Sequence, residues 1–230
     1  YEIVEDEHGG YLLNSKDMCL MPRLNDILGI GMDSLKVEGR NKTEYYAGTV
    51  ARAYRKAIDD YYANPQEWDY KKYMDDLYTL QNRGYCLGFH DGKLTNISQN
   101  YEYTRTLGEW LFAGSIVEWQ GEDAIFEVRN YINSGEFIDF LIPNTLDNLR
   151  LTLTEFEDAE SGEITPRVSA GQGKKIRIRP EQWKLPIAEV KAKLPQYVIA
   201  RKLQGLFGEN AKMYERKRQE FAQLIAKEDK

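Results

Sequence analysis

The chain has 230 residues, 42% hydrophobic and 30% charged, with a formal net charge of −6. That length fits one large domain or two ordinary ones, and that balance excludes a disordered chain. No apolar run approaches the roughly 20 residues of a membrane span, and the acid excess argues against a general grip on nucleic acid.

The charge is uneven. From Glu181 onward eleven Lys/Arg stand against seven Asp/Glu, an excess of four, so the first 180 residues carry −10. Residues 1–7 are acidic and do not read as a secretory signal. The two cysteines, Cys19 and Cys86, lie far apart and fit a reducing cytosol better than a disulfide framework. A cytoplasmic protein is expected.

Apolar runs at 2–4 and 11–13 flank His8-Gly9-Gly10 and read as a hairpin. Asn14 and Ser15 are good helix N-caps, with Asp17 placed for a first turn. Met18, Leu20, Met21, Leu24, Ile27 and Leu28 then recur at helical spacing. Pro22 marks where that helix begins or restarts, and Gly29 and Gly31 stop it.

Ser34-Leu35-Lys36-Val37-Glu38-Gly39-Arg40 reads as a strand. Period two puts Lys36, Glu38 and Arg40 on one face and Leu35 and Val37 on the other. The polar residues then lie at the C-terminal end of a βα unit, where α/β folds keep their chemistry. Thr43 opens a helix with Tyr46, Val50, Ala53, Tyr54, Ala57, Ile58 and Tyr61 on its apolar face. Arg52, Arg55, Lys56, Asp59 and Asp60 form the polar face, and Asn64-Pro65 ends it. Strand, helix, strand, helix implies a parallel sheet. Two strands cannot make a sheet covered on both faces. Further strands are expected upstream of Tyr1 or on another chain, and the sequence reads as a fragment.

Residues 66–84 read as a third helix, with Trp68, Tyr73, Leu77, Tyr78 and Leu80 apolar. Six β-rich runs follow, at 111–120, 124–128, 137–142, 149–156, 164–168 and 175–178, separated by glycine-bearing turns. Such a series means a small barrel or sandwich. Residues 181–230 read as helical, broken at Pro186 and Pro195, and ending in an exposed amphipathic helix. The expected division is 1–84, 85–180 and 181–230.

Glu38, between Lys36 and Arg40, stays ionised and suits anion positioning better than acid catalysis. Lys36 and Arg40 suit a dicarboxylate. The alternative is a buried salt bridge that closes the sheet. Lys174, Lys175, Arg177 and Arg179 form a strip that can follow an RNA backbone, or a solvated outer face. Trp110, Trp119, Tyr101 and Tyr103 serve equally as stacking or core residues. Cys86 reads as structural, and His8 and His90 as solvated turn residues. Two cysteines and two histidines cannot build a four-thiolate site alone. No serine, cysteine or zinc protease signature is legible.

Three stretches, Asn14-Ser15-Lys16-Asp17-Met18-Cys19-Leu20, Asp33 to Arg40, and Tyr45-Tyr46 with Val50 to Asp59, resemble the collagenase-like peptidase family of unassigned catalytic type. Its members include tRNA and ribosomal RNA hydroxylation proteins. Asn82-Arg83-Gly84-Tyr85, Gly88-Phe89 and Gln99-Asn100-Tyr101-Glu102-Tyr103 look like its tRNA-hydroxylating branch. The resemblance runs from Tyr1 to about Leu203; the tail from Gly205 matches no part of it.

The resemblance implies the last strands and helices of a TIM-like barrel, then a small β-barrel similar to domain two of translation factors. It implies prephenate-dependent 5-hydroxylation of the tRNA wobble uridine, or, from older naming, collagen or peptide cleavage. A third reading is a β-barrel that binds RNA or protein without chemistry of its own. Under the resemblance Lys36, Glu38 and Arg40 are the catalytic candidates, with prephenate as co-substrate. An iron–sulfur cluster on four cysteines is implied as well. Cys19 matches the last ligand, and the other three would sit upstream of Tyr1. The chain alone is therefore expected neither to hold a cluster nor to turn over. The implied partners are tRNA and the missing N-terminal half.

Overall fold

A computed structural model describes residues 4–6, 9–11, 14–90, 92, 98–101, 106–171 and 173–228. His8, Leu12, Leu13, Tyr103 and Gln172 lie outside the described residues. In chain order the first elements are β1 (Val4–Asp6), β2 (Gly9–Tyr11), β3 (Asp17–Met18), α1 (Leu24–Gly29), α2 (Glu44–Ala63), α3 (Lys71–Tyr78) and β4 (Tyr85–Cys86). The strand-rich middle holds β5 (Trp110–Gln120), β6 (Asp123–Val128), β7 (Ile132–Asn133), β8 (Phe137–Leu141), β9 (Asn148–Thr152), β10 (Phe156–Asp158), β11 (Ile164–Thr165), β12 (Arg167–Val168) and β13 (Lys175–Ile178). The last are α4 (Ile187–Lys193), β14 (Ile199–Leu203) and α5 (Glu209–Glu228).

Contacts divide the chain into two units, one from Tyr1–Leu35, Pro65–Glu109 and Gly205–Lys230, the other from Lys36–Asn64 and Trp110–Gln204. Both are discontinuous, where the linear reading has three consecutive pieces.

In the first unit the hairpin forms, with Val4 opposite Tyr11. Asn14 and Ser15 cap no helix. Ser15 bridges to Gln99, and β3 pairs in parallel with β4, Asp17 opposite Tyr85 and Met18 opposite Cys86. The Asp17 and Cys19 amides donate to Gly84 O and Cys86 O, both at 2.9 Å. A distant strand thus takes the amides that a helix would have used internally. Pro22 does mark the helical start, within a 3-10 turn at Met21–Arg23 that leads into α1.

The third helix is shorter than 66–84: α3 runs Lys71–Tyr78 and buries Tyr73, Met74 and Leu77. The expected exposed tail helix is docked. α5 buries Tyr214, Phe221 and Ile225. Lys217 Nζ donates to Arg83 O at 2.9 Å, the Tyr214 hydroxyl to Tyr78 O, and Arg23 Nη2 to Ile225 O at 3.3 Å.

The second unit is built on an eight-stranded antiparallel sheet in the order β11-β10-β13-β6-β5-β14-β8-β9, with β7 and β12 paired separately. Ala113, Ile116, Phe126, Ile138, Phe140, Ile176, Ile178 and Ala200 form its core with Trp183 and Val190. Phe126 and Phe140 meet edge to face at 5.7 Å between ring centres, a favoured aromatic geometry. Expected strands at 111–120, 124–128, 137–142 and 175–178 form nearly as read. The run 149–156 splits into β9 and β10, and 164–168 into β11 and β12.

Residues 199–203 read as helical but form β14, between β5 and β8. Pro195 ends the preceding helical stretch, and beyond it Ala200, Arg201 and Lys202 are all buried within the sheet.

α2 begins at Thr43, whose hydroxyl accepts the Tyr46 N–H at 3.4 Å. It packs closely on β14: a Cβ at Gly48 would lie 2.7 Å from Ile199 Cδ1. Its buried residues are Tyr45, Thr49, Val50, Arg52, Ala53 and Ala57. Arg52, assigned to the polar face, is therefore buried.

The strand expected at 34–40 does not form. Val37 is 48% exposed, and Glu38 Oε1 accepts the Arg40 N–H at 2.9 Å. Alternation becomes a strand only where a neighbour supplies the ladder, and no described strand flanks this segment. Among the described residues the parallel pairing is limited to β3 and β4, and the expected end of a TIM-like barrel is not confirmed. No helix among them is long and apolar enough to cross a membrane.

Candidate functional site

The leading sequence candidates sit on the segment that failed to pair. Lys36, Glu38 and Arg40 are all exposed. The Glu38 carboxylate turns back on the Arg40 amide, and Lys42 lies over the Tyr46 ring at 5.1 Å. The alternative of a buried salt bridge is overturned by that exposure. What remains is a short cationic loop with two side chains that can meet an anion.

Cys19 and Cys86 are both buried and neither is in a disulfide. Cys86 Sγ lies 4.0 Å from Lys16 O. Two thiols on adjoining strands supply at most half of a four-cysteine set. Among the described residues no three His, Cys, Asp or Glu side chains group as metal ligands. These residues do not make a cluster site by themselves. His90 is exposed, as read, with Nε2 3.8 Å from Asp26 Oδ2.

Beside this strand pair, Tyr78, Asn82, Gly84, Tyr85, Tyr214, Lys217 and Arg218 line a small cleft. Arg218 lies over the Tyr78 ring at 4.3 Å. Burial pushes the Tyr78 phenol up to about 12, although Arg218 opposes the shift. Tyr78 is therefore a neutral hydrogen-bonding group at physiological pH.

The basic strip is an ion-pair ladder. Arg177 meets Asp123 at 3.0 Å and Glu157 at 3.6 Å. Arg179 meets Glu157 at 2.6 Å and Asp123 at 3.2 Å. Lys174 bonds Asp158. That bond, with the Ser161 and Glu160 amides, holds the Asp158 carboxyl well below the usual range. Lys175 is exposed, opposite Glu127 on β6. Lys174, Arg177 and Arg179 facing Asp123, Glu157 and Asp158, with Lys175 opposite Glu127, leave no net charge, too little for a strong phosphate grip.

A different constellation escaped the sequence reading. Arg201, Asp139 and Arg150 stand in a row across β14, β8 and β9, the first two buried and Arg150 exposed. Asp139 accepts from Arg150 Nε at 2.7 Å and Nη2 at 2.9 Å. The Arg150 guanidinium lies over the Phe137 ring at 3.9 Å, and Arg201 over Trp110 at 4.4 Å. Trp110 and Phe137 meet edge to face at 6.1 Å. The one available signal was an acid within the apolar run 137–141. Its partner Arg150 lies 11 residues on, on the adjoining strand, while Arg201 comes from a strand distant in sequence. Trp119, another stacking candidate, instead donates Nε1–H to Leu194 O at 2.9 Å and packs against the core.

Residues 1–100 match Peptidase family U32. tRNA hydroxylation protein P of Escherichia coli (strain K12) is 36% identical over 171 residues, 74% of this chain and 36% of that protein. Its namesake in Haemophilus influenzae is 35% identical over 150 residues, 64% of this chain and 32% of that protein. tRNA hydroxylation protein P1 of Bacillus subtilis is 26% identical over 162 residues, 69% of this chain and 38% of that protein. The chain thus spans about a third of the length of the curated relatives it matches. The C-terminal domain of a Geobacillus thermoleovorans protein assigned to the U32 peptidases covers 40% of this chain and 90% of its own, at 22% identity and a TM-score of 0.31.

Proposed function

We propose, for a chain whose first 100 residues belong to Peptidase family U32, that it serves as the C-terminal portion of a tRNA hydroxylation protein. The observation that carries this reading is the extent of the kinship. Identity of 36% with tRNA hydroxylation protein P continues over 171 residues, well past the family region. The likeness to that protein therefore continues beyond the residues that match the family.

In this reading the target is the wobble uridine, hydroxylated at C5, with prephenate as co-substrate in the cytoplasm. Lys36 and Arg40 offer two exposed cations for two carboxylates, Arg40 by its planar fork. Glu38, bonded to the Arg40 amide, shapes the loop that presents them.

Mass spectrometry of tRNA nucleosides from a strain lacking the gene tests the reading. Hydroxylated uridine should vanish, return with the wild-type gene, and return only in part with Arg40→Ala. Nucleosides unchanged by the deletion overturn the function. Full restoration by Arg40→Ala removes only the role given to Arg40. Cleavage of collagen peptides by a protein that leaves tRNA unaltered would favour the peptidase reading.

A further inference from the structure

We propose that Arg150, Phe137 and Trp110 form a stacking platform for single-stranded RNA, an inference that rests on the tRNA reading and gives it a contact surface. Unpaired bases are held by stacking on aromatic rings and guanidinium planes, with cations nearby for the backbone. This face presents the exposed Arg150 guanidinium 3.9 Å over the Phe137 ring, with Trp110 edge to face beside it and the buried Arg201 behind Trp110.

The site is built rather than incidental. The Asp139 side chain is only 4% exposed, while the Arg150 side chain it fixes is 58% exposed. A mobile surface arginine is thereby set in one plane. The carboxylate takes Nε and Nη2. Nη1 and the plane turned away from Phe137 are left for a ligand. Nη1 can donate to a uracil carbonyl while the ring stacks on the plane. Exposed Thr152, opposite Phe137, and exposed Leu203, opposite Trp110, form the rim.

The contrast with β13 favours this face. There Arg177 and Arg179 each meet two carboxylates. Here the exposed Arg150 meets the single buried carboxylate of Asp139 and lies over a ring besides.

The test uses the full-length protein, a short oligouridine and unmodified tRNA, with affinity read by fluorescence anisotropy. Arg150→Lys keeps the charge and loses the plane, so oligouridine binding should weaken about tenfold with the thermal midpoint unchanged. Thr152→Glu, at the exposed rim, should weaken it as well and guards against a folding defect in the first variant. Binding by both variants equal to wild type overturns the platform, as does wild-type protein that binds neither RNA. Complementation separates the two ideas. If wild type restores hydroxylated uridine and both variants bind normally, the platform fails alone. If wild type binds oligouridine, the variants bind weakly and no modification is restored, the platform stands and the tRNA hydroxylation reading fails.

Discussion

Arg52 ties a loop to a helix. Its Nε donates to Thr145 O at 2.7 Å, Nη1 to Asn148 Oδ1 at 2.9 Å and Nη2 to Asp147 O at 3.0 Å. Arg52→Ala should leave three acceptors short of a donor and lower stability by about 3 kcal/mol, read as a shifted urea midpoint. Gly114 is constrained differently. Its φ of +153° is one that side-chain-bearing residues rarely adopt, and a Cβ there would lie 2.0 Å from Glu127 O. Gly114→Ala should therefore cost at least about 3 kcal/mol in the same assay. Tyr78 gives a spectroscopic readout: its phenolate absorbance should rise only near pH 12, later than exposed tyrosines. The difference between wild type and Tyr78→Phe isolates that titration. If the difference appears near pH 10, Tyr78 is not shielded.

β14 shows how far the sequence could be read at the level of an element. β5, β6, β8 and β13 were legible because short β-rich runs without helical spacing stand between turn residues. β14 was not. Ile199-Ala200-Arg201-Lys202-Leu203 holds two adjacent cations, and only the sheet reveals that one of them faces the core. Lys202 is 1% exposed, with Nζ 2.5 Å from Glu136 Oε2 and 3.0 Å from Tyr131 O. The strand at 34–40 failed for the opposite reason: its pattern is good, but pairing depends on a neighbour that local sequence cannot supply. The site was legible in the same measure. Lys36, Glu38 and Arg40 could be seen on one stretch, whereas the Arg201–Asp139–Arg150 row exists only through register.

The Lys202–Glu136 pair also sets a pH dependence. Burial raises the Glu136 carboxyl, but hydrogen bonds from Lys202 and then Asn133 outweigh it and hold the group below its ordinary value. The folded state thus binds this proton less readily than the unfolded state. Its contribution is complete above the unfolded value of about 4.3 and is lost as pH falls through the folded value. Denaturant midpoints should decline on acidification, and Glu136→Gln should flatten that decline. At pH 7 the same variant should cost about 2 kcal/mol, less than a wholly buried pair because the Glu136 side chain is 35% exposed. An acid limb as steep in Glu136→Gln as in wild type would remove the pair from the explanation.

At the scale of the molecule, the helical tail belongs to the first unit and not to the sheet that precedes it. Phe221, Ile225 and Tyr214 are all buried, so removing residues 205–230 should expose apolar surface on that unit. Hydrogen exchange should speed up in α3 and β4 while amides of β5, β6 and β13 keep their protection. Equal loss in both sets would contradict the division.

The interleaving of the two units has a consequence for synthesis. Every stretch of the sheet unit has been translated by Gln204, whereas the first unit waits for a segment that begins at Gly205. Emerging from the ribosome, the sheet can close while its companion still lacks a piece, leaving the surface under α5 without its cover. Truncation at Gln204 would then injure the unit that also holds Tyr1–Leu35 and spare the sheet made just before the cut.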